Sequence, residues 1–385
     1  MRSSLMILVM SAAAAEAVRA ADVDQALDKA SEFLVSRQGV DGAWRSEQYP
    51  PFKDGASLTP LVVRALMAGT ESETHRTRCE RAVEWIVSRF GTEGPIRAAH
   101  EELAYPVYTA ANLIVVLSDE RFGRYRESRD AWTRFLLERQ LTEELGWQKA
   151  DRAYGGWGYA FDPTPKPPSG QPLSPLAAPN LSATAFALEA LTSAENTDHS
   201  LAVSRALVFV QRCQNFGNDT PLDDGGFFFI ADDAVRNKAG SSGQDPAGHL
   251  RFASYGSTTA DGLRSLRACG LPVDDPQVRA ARQWLDRNFS ASTHPGGYVR
   301  ARESAKPALY FYYARSIARS WRMAPTEQVR DHAKALAAAL IERQKPDGSW
   351  INDAVDVRED DPLVATPLAM MALADCQRVL SSDPR

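Results

Sequence analysis

Cysteine and histidine are scarce in this chain, four and six among 385 residues. Cys79, Cys213, Cys269 and Cys376 form no CxxC pair, and each lies within or beside an apolar helical stretch. Disulfide frameworks and zinc sites both rest on tighter spacing, so buried free thiols and no metal or cofactor are expected. Runs of Lys or Arg are missing too, and a net charge of -5 gives no electrostatic footprint for nucleic acid. Segments of strand length with alternating polarity are also lacking, which turns attention to helices.

The first residues, MRSSLMILVMSAAAAEAVRA, place one Arg before an apolar run from Leu5 to Ala15, with Val18 and Ala20 where a signal peptidase reads small residues. The run is too short for a membrane span of roughly 20 residues. The expectation is a signal peptide over residues 1–20, an exported protein, and no transmembrane segment.

What the chain has is a recurring signature. SRQGVDGAWRS at Ser36 to Ser46 and RQKPDGSWIND at Arg343 to Asp353 both set Gln, two spacers, Asp-Gly, a spacer and Trp in order. Looser copies are TEGPI ending at Ile96, YGGWG around Trp157, DDGGFFF around Phe227 and HPGGYV around Tyr298. Each follows an amphipathic helical stretch and precedes a more apolar one, as QALDKASEFLVSRQ precedes LTPLVVRALMAG. Amphipathic helices are half exposed, whereas helices apolar all round must be covered on every side. The alternation predicts about twelve helices in six hairpins, forming an all-α double ring, an α/α toroid, as one domain over residues 21–385. In RQKPDGSW, Pro346 stops the outer helix, Gly348 takes a positive φ, and Trp350 staples neighbouring hairpins.

The Gln-x-x-Asp-Gly-x-Trp signature resembles the repeat of squalene-hopene cyclases, oxidosqualene cyclases and the β-subunits of protein prenyltransferases. YGGWGYAFD, NLSATAFALEAL, SYGSTTADGLRSL and EDDPLVATPLAMMAL resemble an exported bacterial branch of that superfamily. The resemblance implies a toroid with an apolar isoprenoid-type small molecule in its central cavity. Class II cyclases protonate an alkene with an Asp-x-Asp-Asp-Thr-Ala acid, and the nearest match, YGSTTA at Tyr255 to Ala260, keeps Thr259 and Ala260 without the acids. The Asp, Cys and His zinc ligands of prenyltransferases are missing as well.

Two other chemistries stay open. Glu359, Asp360 and Asp361 bring three carboxyls to the start of the last inner helix, where repulsion could hold one protonated as a general acid, or Asp361 could cap the helix ahead of Pro362. The long connections beginning at Ala160, Ile230 and Ile351 open on one side, where the inner-helix N-termini point. Ligand contacts expected there are Trp157, Tyr159, Asp162, His249, Arg251, Tyr255 and Tyr298, although for His249 and Arg251 a place on the surface is the favoured reading. Helical spacing puts Tyr310 and Tyr313 on one face, which Tyr312 does not share, and those two are taken as cavity residues. The alternatives are a non-catalytic binding or assembly module with a protein partner, or a glycan-active enzyme with paired carboxylates in an open groove.

Overall fold

The structure, a computed structural model, describes residues 20–91, 103–194, 199–217, 222–231, 233–245, 248, 250–323 and 325–382. The expected leader, apart from Ala20, and the TEGPI signature lie outside them, as does His249. Among the described residues twelve α-helices alternate between two layers. The outer layer holds α1 (Ala20–Ser36), α3 (Glu73–Phe90), α5 (Arg126–Leu137), α7 (Ser200–Arg212), α9 (Pro276–Asn288) and α11 (Glu327–Arg343). The inner layer holds α2 (Leu58–Ala68), α4 (Pro106–Leu117), α6 (Leu181–Ser193), α8 (Gly256–Ala268), α10 (Tyr310–Trp321) and α12 (Pro362–Ser381).

The expected all-α toroid is what forms. Each inner helix packs on the next, and α12 returns to α2, so the inner ring is closed. Outer helices bury one stripe, such as Val23, Ala26, Leu27, Ala30 and Leu34 of α1, and expose the other side. Inner helices are covered all round, and every residue of α8 from Gly256 to Leu266 is buried. Helix α12 is long and apolar enough to cross a membrane by composition, yet it packs inside the ring against α1, α2, α10 and α11. Among the described residues one short hairpin departs from the helical plan: β1 (Ser241–Gln244) pairs antiparallel with β2 (Leu250–Phe252) in the α7–α8 connection. Four residues do not suffice to display an alternating pattern, which is why this hairpin escapes a periodicity reading. Cys79, Cys213, Cys269 and Cys376 are free thiols.

One set of bonds recurs between hairpins. Gln38, Gln140, Gln214 and Gln344 each donate to a carbonyl of their own turn, at Gly42, Gly155, Gly225 and Gly348. Each also donates to a neighbouring outer helix or its edge, at Arg78, Ala202, Gln277 and Ala26. The last of these joins the final hairpin to the first. The indoles of Trp44, Trp157 and Trp350 donate backwards to Leu34, Leu136 and Leu340 at 2.6 to 2.8 Å. Their backbone N–H groups, and that of Phe227, donate forwards to Thr59, Thr184, Thr366 and Thr259 on the inner helices. Gly42 and Gly348 have φ of 103° and 88°, and a Cβ on Gly348 would meet the Lys29 carbonyl oxygen at 2.2 Å. Only glycine fits there.

Candidate functional site

Outer-to-inner connections are long and inner-to-outer ones short, so the N-terminal ends of the inner helices share one side of the ring. A cavity of about 470 Å³ opens there. Its wall is mainly aromatic and aliphatic: Phe52, Tyr105, Tyr108, Tyr159, Phe186, Tyr255, Tyr312, Leu58, Leu61, Leu309, Val364 and Leu368. Phe186 stands edge-on to Tyr108 at 4.9 Å and stacks with Tyr312 at 6.4 Å between centroids. A hydroxyl chain runs along one side: Tyr108 Oη donates to Ser182 Oγ at 2.9 Å, and Ser182 also bonds the Tyr312 hydroxyl. Burial pushes the Tyr108, Tyr255 and Tyr312 hydroxyls well above their ordinary pKa, so they act as neutral donors.

Beneath the cavity the ring is closed by charge. Asp261 of α8 accepts from Tyr312 Oη at 2.6 Å, Ser316 Oγ at 2.8 Å and Arg264 at 2.9 Å. Burial raises its carboxyl pKa, with Arg264 opposing. Glu189 of α6 pairs with Arg64 at 2.7 Å, Arg264 and Arg315 at 2.8 Å, and Arg319 at 3.3 Å. Burial alone would raise this carboxyl, but the four guanidiniums outweigh it and hold Glu189 well below the carboxylate range. Asp375 of α12 gathers Arg319, Arg322 and Arg378 on the same side. Such charges on apolar-looking helices are invisible to periodicity, because nothing in a sequence says that they meet.

The three neighbouring carboxyls expected as the acid point three ways. Glu359 is on the cavity wall but is occupied by α10: it accepts from the N–H groups of Phe311 at 3.0 Å and Tyr312 at 2.8 Å, and from Asn352 Nδ2 at 3.0 Å. Burial raises its carboxyl to about 7 against those donors. Asp360 turns outwards to Gln48 Nε2 at 2.5 Å and to Tyr49 Oη at 2.7 Å. Asp361 caps α12 by accepting from Leu363 N–H at 2.8 Å. The residue before them, Arg358, has φ 65°, and that left-handed turn separates the side chains.

Of the other expected contacts, Tyr159 and Tyr255 are on the wall. Trp157 is not: it is fully buried as one of the inter-hairpin indoles. Asp162 is exposed outside the mouth. Arg251 is held on β2 by an ion pair to Asp223 and a bond to Asn215 Oδ1 at 3.0 Å. Tyr298 packs on Tyr255 and bonds His294 Nδ1 at 3.0 Å, behind the wall. The choice on α10 is reversed. Tyr310 and Tyr313 reach the α9–α10 connection, donating to Ala291 and Ser290 carbonyls, while Tyr312 faces the cavity. Helical spacing says which residues share a face, but not which of two buried faces borders space. Sequence reasoning also passed over Tyr108, Phe186, Asp261, Arg236, Lys238 and Arg358. Tyr108 and Phe186 stand on apolar inner helices that the patterning had already assigned, and that was the available signal.

No group of three or more His, Cys, Asp or Glu side chains suited to a metal occurs among the described residues. Tyrosine hydroxyls, serines and singly placed carboxyls offer hydrogen bonds rather than a coordination shell.

No protein-family model matches the chain, and no curated protein matches it in sequence. Solved structures do. The type II terpene cyclase MstE from Scytonema superposes with a TM-score of 0.57 at 15% identity, covering 94% of this chain and 100% of that one. A form of that enzyme in complex with its substrate, geranylgeranyl dihydroxybenzoate, gives 0.58 at 15% identity, covering 94% and 99%. The GH76A α-1,6-mannanase from Salegentibacter gives 0.55 at 11% identity, covering 93% and 100%. The chain therefore has the α/α-toroid fold that terpenoid cyclases and this mannanase share.

Proposed function

We propose that this protein is an exported toroid that binds an apolar isoprenoid-type ligand between its inner helices. The observation that carries the reading is the cavity of about 470 Å³ with its aromatic and aliphatic wall. Its volume falls in the range of roughly 300–1,000 Å³ that small-molecule sites occupy. Aromatic faces such as Phe186 and Tyr312 suit the flat, branched units of a prenyl chain, and the Tyr108–Ser182–Tyr312 hydroxyls give one edge a polar register. The terpene cyclase of the same fold holds a geranylgeranyl substrate, which supports the ligand class.

The reading assigns binding and no turnover. Alkene protonation needs a strong acid aimed at the ligand. Both carboxyls with raised pKa on the wall have their oxygens engaged: Asp261 by Tyr312, Ser316 and Arg264, Glu359 by α10 and Asn352. Glycan hydrolysis asks for two free carboxyls facing one groove; with Asp261 and Glu359 engaged and Asp360 and Asp361 turned away, Asp356 stands on the wall without such a partner.

The test is native mass spectrometry of the protein purified from its exported fraction, with extraction of whatever it carries and sequencing of its N-terminus. A bound polyprenyl or terpenoid species is expected, lost in Leu61→Trp, which fills the cavity, at little change in melting temperature. A protein that carries nothing and takes up no added prenyl alcohol, but does take up a manno-oligosaccharide, overturns the reading in favour of glycan chemistry. A mature chain that still begins at Met1 overturns export.

A further inference from the structure

Three cations border the cavity and none forms a contact ion pair with a carboxylate among the described residues: Arg236 and Lys238 from the α7–α8 connection, and Arg358 from the α11–α12 connection. On the other side of the ring's centre, by contrast, the arginines pair with Glu189 and Asp375. We propose that these three residues form a recognition site for the anionic head of an amphipathic ligand, a carboxylate or a phosphate ester, whose tail enters the cavity. This rests on the cavity-binding reading and adds the chemistry of the ligand's polar end.

The two guanidiniums are held in place by rings. Arg358 lies over Tyr49, Phe52 and Tyr105 at 5.1 to 5.3 Å from their centroids. Arg236 lies over Tyr159 and Phe229 at 5.9 and 5.8 Å. Stacking fixes the planes and does nothing for the N–H donors at their edges. Nη1 of each is buried without a hydrogen-bond partner. Buried donors left unpaired in this way are rare and costly in native structures, and a bound acceptor relieves the cost.

Arg358 is also the one non-glycine with positive φ among the described residues. Strain of about 1–3 kcal/mol persists only where the surroundings impose it, and such residues cluster at ligand sites. Lys238 is half-buried. Burial depresses its ammonium pKa, and Arg302 and Arg236 add to that against the pull of Asp356. Asp356 also lies on the wall near these groups, and it is exposed. Of the three acids on the wall, Asp261 is engaged by Tyr312, Ser316 and Arg264 and Glu359 by α10 and Asn352, which leaves Asp356 facing the three cations, and the converging inner-helix N-termini add positive potential at the mouth. Below it Leu61, Phe186 and Leu368 offer only apolar surface.

The experiment titrates the purified protein with farnesol, farnesoic acid and farnesyl monophosphate, at low and high salt. The expected result is that one or both anions bind about tenfold or more tightly than the alcohol, as a charge-assisted contact implies. That advantage falls with salt and is lost in Lys238→Met and Arg358→Gln, each of which weakens anion binding by a larger factor than it changes farnesol binding. Should either variant fail to fold, the salt dependence of the unaltered protein decides. Equal affinity for all three overturns the anionic head and leaves the isoprenoid cavity standing. Dodecanoate binding as tightly as farnesoic acid, with dodecanol and farnesol both weak, keeps the anionic head and removes the isoprenoid tail. If none of these binds, both readings fall. The stronger of the carboxylate and the phosphate names the head group.

Discussion

At the scale of single residues, Glu359 shows how a carboxyl that looks catalytic serves structure instead. Its oxygens accept two backbone N–H groups at the start of α10, so the group is a remote cap for a helix that lacks a side-chain cap of its own. Burial lifts its pKa from 4.5 to about 7. The folded protein therefore keeps a proton that the unfolded chain releases, so stability falls as pH rises from about 4.5 to about 7 and then levels. Glu359→Gln lacks this titration. Denaturant melts at pH 5 and pH 8 should show the wild-type stability, measured relative to the variant, declining by about 1–3 kcal/mol. An unchanged difference would mean that Glu359 titrates normally.

At the scale of elements, the ring is held by the same few bonds used again between successive hairpins. Gln344 makes the closing set, tying its own turn at Gly348 to Ala26 of α1. Removing the amide leaves carbonyls short of a donor where two hairpins meet. Gln344→Ala should cost about 1–3 kcal/mol, and amide exchange should quicken in α1 and α11 before it does in α4 or α6. Uniform quickening around the ring would refute a local closing role. The long connections belong to the same scale. They bring Arg236, Lys238 and Arg358 to one rim from elements far apart in the chain.

For the whole molecule, the centre of the ring has two unlike halves. The N-terminal half is an open cavity with apolar walls, and the other half is packed with arginines around Glu189 and Asp375. Ionic floors of this kind are not strong sources of stability, yet breaking one is severe because the remaining charges stay buried. Glu189→Gln leaves Arg64, Arg264, Arg315 and Arg319 without their shared carboxylate, and should destabilise the protein by about 3–5 kcal/mol in urea melts. A loss below about 1 kcal/mol would show that solvent already reaches the cluster.

The alternation of half-apolar and wholly apolar helices, with its Gln-Asp-Gly-Trp punctuation, determined the double ring without any coordinates, because burial period is a local property that the chain writes into itself. The indole of Trp350 and the positive φ of Gly348 were legible for the same reason: each is dictated within one turn. Tyr159, Tyr255 and Glu359 were placed near the right mouth, since the direction of the inner helices follows from connection order. Only the tertiary structure decided that Tyr312 rather than Tyr310 or Tyr313 meets the cavity, that Asp360 and Asp361 turn aside, and that Arg64, Arg264 and Arg315 converge on Glu189. Those outcomes depend on which buried face borders empty space and on charges separated by more than a hundred residues, and no local pattern encodes either.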